Sequence, residues 1–187
     1  YKYVGYGLES SITARTTNSN GTLVHQFKLQ DEAGNFHYVL CADFNTTAYR
    51  DADYNMQNVM DATYYSSDNA RHIQAIVTNG YWGTSSGVGS LDNVKNFLKE
   101  KSDLDDALID NMTHGEALTA TQAAIWYYGH SSNSPVLNDT NAAKKQYDGS
   151  YYWNNGSRVW NYKDLSDSEI ARVDALYQAL INLDPNT

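Results

Sequence analysis

Residues 22–43 have the sequence TLVHQFKLQDEAGNFHYVLCAD, in which two strand-like runs flank a turn. The first run, residues 22–29, alternates apolar and polar side chains as a half-buried strand does. The turn at residues 31–35 contains Gly34, which can adopt the positive φ that tight hairpin turns need. The second run covers residues 36–43. The segment therefore predicts an antiparallel β-hairpin.

The returning strand of this hairpin carries Cys41, the only cysteine of the chain. Because side chains alternate between the two faces of a strand, His37, Val39 and Cys41 share one face. Apolar residues occur on both faces, so we expect a central strand that is covered on both sides. A single cysteine excludes an internal disulfide framework and a cysteine-based zinc site. Cys41 is then either a small buried apolar residue or a reactive thiol.

The rest of the 187-residue chain changes periodicity along its length, and we expect one domain over residues 1–187. Strand patterns occupy about residues 1–50 and 150–165, and helical patterns occupy about residues 51–130. A capping box at the start of residues 167–182 opens a C-terminal helix. The alternation of these regions predicts a mixed α+β fold.

Within the helical region, apolar spacing and stop signals predict individual helices. The predicted helices are residues 70–79, ended by Asn79-Gly80, residues 91–101, residues 103–111, and residues 119–128, ended by Gly129.

Gln122 lies with Trp126 on the apolar face of the predicted helix 119–128. Burying a carboxamide without partners costs about 1–3 kcal/mol, so something must satisfy it. One interpretation is local, because Thr119 and Gln122 fit the Thr-x-x-Gln capping box. The other is that the carboxamide meets the thiol of Cys41.

A lone thiol and a buried carboxamide are the two components of an internal thioester, which forms when the sulfur attacks the amide carbonyl and ammonia leaves. We expect the N-terminus of helix 119–128 to lower the pKa of Cys41 and to stabilise the developing oxyanion. Such a bond must be sheltered from water yet open to an amine. Trp126 and the Tyr81-Trp82 loop are candidates to shape that pocket, although ordinary packing would also explain these aromatic residues.

Two histidines flank the predicted helix, His114 before it and His130 after it, and either could deprotonate an attacking amine. A cysteine hydrolase or transferase that uses Cys41 with a histidine is therefore an alternative, although no local protease signature surrounds the cysteine. A second alternative is a noncovalent adhesin module that binds carbohydrate or protein through its abundant aromatic residues, 16 Tyr and 4 Trp.

Acidic residues outnumber basic residues by 22 to 13, which gives a net charge of −9. Without a basic stripe, binding to nucleic acid or to an anionic membrane is disfavoured. No stretch approaches the roughly 18 apolar residues of a membrane span, and no motif indicates a metal or a cofactor. The chain opens directly on a strand-like run, so we expect an excised, mature segment. We also expect the protein to be monomeric.

The segments around the cysteine and the glutamine resemble the thioester domains of Gram-positive surface adhesins and pilus-tip proteins. The family's glutamine motif, Thr-Gln-x-Ala-hydrophobic-Trp, matches residues 121–126 at every specified position. Its cysteine motif, a cysteine after a hydrophobic or aromatic residue late in a strand, matches residues 38–41. A looser likeness is the helix that runs into Asn-Gly-Tyr at residues 73–81. The resemblance covers about residues 36–130.

This resemblance implies an antiparallel β-sandwich or barrel-like part with an inserted helical subdomain. It implies a thioester from Cys41 Sγ to the side-chain carbonyl of Gln122, with supporting roles for Thr121 and Trp126. A lysine on a host surface protein is then expected to attack that carbonyl and leave an isopeptide bond, and small amines are expected to act as surrogates. The chain would be a single-turnover covalent binder and not an enzyme. Its parent would be a secreted virulence adhesin, anchored to the cell wall or carried at a pilus tip.

Overall fold

The computed structural model describes residues 1–44, 48–49, 52–55, 57–61, 65–129 and 139–186. It confirms the predicted α+β class, because an antiparallel sheet packs against helices. The strands are β1 (Lys2–Ala14), β2 (Thr22–Gln30), β3 (Phe36–Val39), β4 (Ala143–Asn154) and β5 (Ser157–Lys163). The helices are α1 (Ser67–Asn79), α2 (Leu91–Lys101), α3 (Asp106–Asp110), α4 (His114–Gly129) and α5 (Asp167–Ile181), with a short 3₁₀ turn at Val59–Asp61.

The sheet has five strands in the order β3-β2-β1-β4-β5, and every neighbouring pair is antiparallel. The long strand β1 lies at its centre. The sheet is open, with β3 at one edge and β5 at the other. The strands of the described part of the chain therefore form one open layer instead of the sandwich or closed barrel that the resemblance implied.

The β2–β3 hairpin forms as predicted, with Gly34 at a φ of +90° in its turn. The predicted central position of its second strand is wrong, because β3 pairs only with β2 and lies at the sheet edge. Phe36 and Tyr38 are accordingly each 48% exposed. Strand β3 also ends at Val39, so Cys41 lies in the segment that follows the sheet and not within a strand.

Helix α4 begins five residues earlier than predicted, at His114 instead of residue 119. A capping box at Thr113 starts it: the Thr113 N–H donates to Glu116 Oε1 over 2.8 Å, and the Glu116 N–H donates to Thr113 Oγ1 over 3.2 Å. Thr119 is therefore not a helix cap. Its hydroxyl instead donates to the main-chain carbonyl of Ile12 on β1, over 2.8 Å. The capping interpretation of Gln122 is wrong for the same reason.

Helix α4 is the centre of the core, since every residue from Glu116 to Trp126 is buried. A helix whose residues are buried all the way around must be covered by other elements on all sides. Four alanines along it, at positions 117, 120, 123 and 124, are fully buried and let β1, α1 and α5 approach closely. Any side chain on this helix is therefore held in a fixed position relative to the sheet.

The other predicted elements differ from the structure mainly at their ends. Helix α1 ends at Asn79 with Gly80 as its C-cap, helix α2 has the predicted bounds, and the capping box that opens α5 is present. Helix α3 is shorter than predicted because Asp105 caps it. Strand β4 begins at residue 143, earlier than the predicted boundary near residue 150. No helix in the described part of the chain combines the length and the apolar character that crossing a membrane requires.

Candidate functional site

The side chain of Gln122 is paired with the main chain of Cys41. The Cys41 N–H donates to Gln122 Oε1 over 3.1 Å, and Gln122 Nε2 donates to the Cys41 carbonyl oxygen over 2.6 Å. Gln122 is 1% exposed, so both polar groups of its carboxamide are satisfied inside the protein by this one residue. The pairing also explains why β3 stops at Val39, because the backbone groups of Cys41 bind a side chain instead of a neighbouring strand.

The thiol of Cys41 is free and half-buried beside Trp126. It donates to the main-chain carbonyl of Asp43 over 3.0 Å. Burial raises the pKa of the Cys41 thiol, and the neighbouring Trp126 side chain acts in the opposite direction. Trp126 is fixed in turn by Phe44, whose ring meets it edge-on at 5.1 Å. The thiol is thus kept protonated at neutral pH and held in one orientation against the helix.

The segment after Cys41 reaches α4 because the last residue of that helix is a glycine. A β-carbon on Gly129 would lie 2.2 Å from the carbonyl oxygen of Ala42, closer than any real contact of that kind. Glycine is needed here for close approach of two backbones. The position of Gly129 therefore determines how closely Cys41 can approach Gln122.

Replacing Gly129 with alanine is expected to push Ala42 off the helix and to destabilise the fold by about 1–3 kcal/mol, as overpacking does. Urea unfolding measures this change, and hydrogen exchange at the Cys41 amide, expected to be faster, reports whether the pairing with Gln122 has loosened. Gly115→Ala in the same helix is the matched control. The nearest atom to its new β-carbon would be the Ser10 side-chain oxygen, at 3.1 Å, and its next contacts, also with Ser10, would be at ordinary distances. Equal stabilities for the two variants would contradict the assigned role of Gly129.

Cys41 and Gln122 both line a cavity of about 280 Å³, together with Trp126 and Phe44. Cys41 also lines a second cavity of about 630 Å³, whose walls include Leu29, Val39, Tyr54 and the acidic residue Asp43. The cysteine therefore lies between two openings, one beside the buried carboxamide and one along the apolar side of β2 and β3. The thiol and the carboxamide are sheltered by side chains but are not sealed from small molecules.

Thr121, the first residue of the glutamine motif, has a connecting role. Its hydroxyl donates to the Ala117 carbonyl over 2.9 Å and accepts the main-chain N–H of Tyr81 over 2.9 Å. This attaches the end of α1 to the middle of α4. Tyr81 itself is fully buried, and Trp82 packs against the core with its carbonyl bound by Gln26.

The sequence suggested that the Tyr81-Trp82 loop shapes the reactive pocket, but the structure places this loop away from the cavities at Cys41. Neither residue lines the two cavities at Cys41. Their physical role is instead to close the core beneath α4. Trp126, by contrast, lines the smaller cavity together with Cys41 and Gln122.

The two histidines proposed from the sequence lie elsewhere or outside the described residues. His114 is exposed at the start of α4, where its Nδ1 contacts the Tyr81 hydroxyl. It lines neither cavity at Cys41. His130 falls outside the described residues.

His25 on β2 is the histidine that the sequence interpretation missed. It lines the 280 Å³ cavity together with Cys41 and Gln122. The signal was present in the hairpin, because the observed pairing of Phe27 with Val39 places position 41 opposite position 25 if the register is continued by two residues. Among the described residues, no group of three or more His, Cys, Asp or Glu side chains is arranged to hold a metal ion.

The geometry is suited to acyl chemistry at the carboxamide carbon. The carbonyl oxygen of Gln122 already accepts a main-chain N–H, so negative charge that develops on it would be stabilised without rearrangement. This donor is the Cys41 N–H, and it replaces the helix N-terminus that the sequence interpretation expected, because Gln122 lies in the interior of α4. The thiol of the same cysteine is a nucleophile whose residue lines the same cavity as Gln122.

A family model described as the thioester domain matches residues 38–185, which includes both Cys41 and Gln122. Neither a curated protein nor a solved structure matches the chain.

Proposed function

Because the chain belongs to the thioester domain family, we propose that Cys41 Sγ and the side-chain carbonyl carbon of Gln122 form an internal thioester. The observation that carries this proposal is the double hydrogen bond between the Gln122 carboxamide and the main chain of Cys41. These residues are 81 positions apart in the chain, so local structure does not require them to meet. Their pairing, which joins the segment after β3 to the buried helix α4, supports a shared chemical role.

In the proposed bond-forming step, the sulfur of Cys41 adds to the carbonyl carbon of Gln122. The oxyanion on Gln122 Oε1 is stabilised by the Cys41 N–H. The carbon–nitrogen bond then breaks, and the thiol proton leaves with the amide nitrogen as ammonia. Proximity supplies much of the rate, since both groups are already held by the fold.

In the second step, an amine on a target molecule attacks the same carbonyl carbon, and the carbon–sulfur bond breaks. The product is an amide between Gln122 and the target, with Cys41 released as a thiol. No water or cofactor is consumed. Because the carboxamide is used once and not regenerated, we describe the protein as a single-turnover covalent binder and not as an enzyme.

The family supports a thioester-based covalent adhesion role. We propose that the target amine is a lysine of a host surface protein, that the product is an isopeptide bond, and that residues 1–187 form one monomeric thioester domain of a bacterial surface adhesin. The net charge of −9 supports a basic partner surface, since opposite charges accelerate encounter. An amide does not dissociate under flow, so a protein attached through one stays attached.

Intact mass spectrometry tests the proposal directly. Freshly purified protein is expected to be lighter than its sequence mass by one ammonia and to show no titratable thiol in denaturant. Incubation with methylamine should add one methylamine and restore one thiol, and a Cys41→Ala variant should show its full sequence mass and remain inert. A parent protein with full mass and a free thiol would rule out the thioester.

The hydrolase alternative makes the opposite prediction, since it requires a full-mass protein with a reactive thiolate. The raised pKa of the Cys41 thiol does not favour it, because a catalytic thiolate needs a lowered pKa. Mass and thiol titration therefore separate the two functions in one measurement.

One surface feature favours an additional noncovalent contact, the aromatic face of the β4–β5 hairpin. Tyr151 pairs across the strands with Trp160, and Trp153 pairs with Arg158. The Arg158 guanidinium lies 4.7 to 5.4 Å from the three ring centroids, and Trp153 is 62% exposed. Rings and a cation arranged in this way suit reversible recognition. Undiminished target binding by the Cys41→Ala variant would favour this function over the covalent one.

A further inference from the structure

The cavity lined by the two residues of the proposed thioester is also lined by a histidine. His25 lines the 280 Å³ cavity with Cys41, Gln122 and Trp126. Among the described histidines, it is the one that shares a cavity with Gln122. A molecule that enters this space to reach the Gln122 carbonyl therefore passes an imidazole.

The strand register explains why His25 is placed there. Strands β2 and β3 pair Phe27 with Val39 and Leu29 with His37. Continuing that antiparallel register by two residues places position 41 opposite His25. The β-hairpin that delivers Cys41 to α4 thus brings the histidine to the same end of the sheet.

The imidazole of His25 is held in place by two rings. Its centroid lies 3.9 Å from that of Tyr6 and 5.1 Å from that of Phe27, which it meets edge-on. The described residues give its ring nitrogens no hydrogen-bond partner. A positioned imidazole with its nitrogens uncommitted is available to a ligand in the cavity.

The other described histidines are occupied elsewhere. His37 bonds Asp31 over 3.0 Å, His72 stacks on Tyr128 at 4.1 Å, and His114 contacts the Tyr81 hydroxyl.

His25 also has a charge state suited to accept a proton. Burial lowers the pKa of His25 below its ordinary value of 6.5, and the carboxylate of Glu9 acts in the opposite direction. Glu9 is its cross-strand neighbour on β1. The other titratable groups that share its cavity are Tyr3, Tyr6 and Cys41, and in the thioester Cys41 carries no proton. At neutral pH the imidazole is therefore neutral and able to act as a base.

We propose that His25 is the general base of the acyl-transfer step, and that it removes a proton from the target amine as this amine adds to the Gln122 carbonyl. The inference rests on the proposed thioester. As the carbon–sulfur bond breaks, the proton passes from His25 to the Cys41 sulfur, which leaves as a thiol. The imidazole ends neutral, so protons and charge balance and no co-reactant is needed.

The test compares the parent protein with a His25→Gln variant. Intact mass is first used to measure the thioester content of each, so that loss of the thioester and loss of the base are distinguished. The second-order rate of methylamine addition is then measured. For variant molecules that carry the thioester, we expect this rate to fall by about 100-fold at pH 7.5, the lower end of the range for general-base catalysis. His37→Gln, on the neighbouring strand and engaged by Asp31, is the matched control and should react at the parental rate.

Two further measurements make the result independent of that single substitution. In the parent, the rate per unit of free amine should rise with pH through a midpoint below 6.5 and then level off, as His25 loses its proton. Added imidazole should restore a large part of the rate to a His25→Ala variant. Parental reaction rates in thioester-bearing His25→Gln, or a flat parental profile between about pH 5 and 8, would overturn the role of His25. A parent that lacks the ammonia deficit would instead refute the thioester itself.

Discussion

Replacing Gln122 with alanine is expected to abolish covalent attachment completely while the protein still folds. The substitution removes the acyl carbon, so no thioester can form and no adduct with methylamine or with a protein amine can follow. It also leaves the N–H and carbonyl of Cys41 without their partners, which costs about 1–3 kcal/mol of stability. Intact mass, which should equal the full sequence mass of the variant, and a fully titratable Cys41 thiol provide the measurements.

The chain contains a matched control for this substitution. Gln26 is also 1% exposed, and its carboxamide also bonds only main-chain groups: it accepts the Leu8 N–H over 3.1 Å and donates to the Trp82 carbonyl over 3.0 Å. Gln26→Ala should therefore lose similar stability but keep the ammonia deficit and the reaction with amines. Loss of the thioester in both variants would mean that the loss of a buried carboxamide anywhere in the core is enough to prevent the bond. An adduct formed by Gln122→Ala would refute its assignment as the acyl donor.

The second large effect is expected at the ion pair between Glu116 and Arg172, which joins the start of α4 to α5. Arg172 Nε and Nη2 each donate to one carboxylate oxygen of Glu116 over 2.8 Å, and Glu116 is fully buried. Removing one partner of such a pair leaves a buried charge uncompensated, so Glu116→Ala is expected to cost about 3–5 kcal/mol. The Glu116 carboxylate also caps α4 at Thr113, which adds to the loss. Urea unfolding measures it.

Two controls separate the buried charge from charge pairing in general. Lys99 and Asp110 form an ion pair that is largely exposed to solvent, and Asp110→Ala should change stability by no more than about 1 kcal/mol. Adding Arg172→Met to Glu116→Ala removes the orphaned charge and should recover much of the lost stability. A Glu116→Ala variant as stable as Asp110→Ala would show that α4 does not depend on this pair. Both proposed reactants would then be held mainly by apolar packing.

The sequence was sufficient to predict the hairpin, most helix ends and the meeting of Cys41 with Gln122. Rare residue types carried this information: a single cysteine, and a glutamine on an apolar helix face. The way in which the two residues contact each other was not predictable. Nothing in the sequence near either residue indicates that the side-chain amide of Gln122 will bind both backbone groups of the cysteine. The position of His25 in the cavity wall could have been found by continuing the strand register of the hairpin away from its turn.

The start of α4 was mispredicted because two overlapping patterns compete. Thr119 with Gln122 fits a capping box, and so does Thr113 with Glu116. The structure uses the second, since Thr119 bonds β1 and Gln122 bonds Cys41. These contacts are long-range, so the local sequence pattern does not show which of the two capping boxes forms.

The edge position of β3 has a similar origin. Its apolar residues on both faces favour a central strand. In the structure, however, β4 pairs with β1 and not with β3, so β3 has β2 as its single neighbour. Strand order is fixed by contacts between distant parts of the chain. The pattern within residues 36–39 does not contain that information.

The short bond from Gln122 Nε2 to the Cys41 carbonyl oxygen has a consequence for nucleophile choice. In the proposed thioester-forming step the nitrogen departs as ammonia, so that oxygen loses its hydrogen-bond donor and the donor position stays empty. A primary amine that adds to the carbonyl carbon yields a secondary amide, whose remaining N–H can donate to the same oxygen. A secondary amine yields a tertiary amide with no hydrogen to offer. With the proposed thioester in place, we therefore expect the main chain of the cysteine to favour lysine-like nucleophiles over more substituted ones.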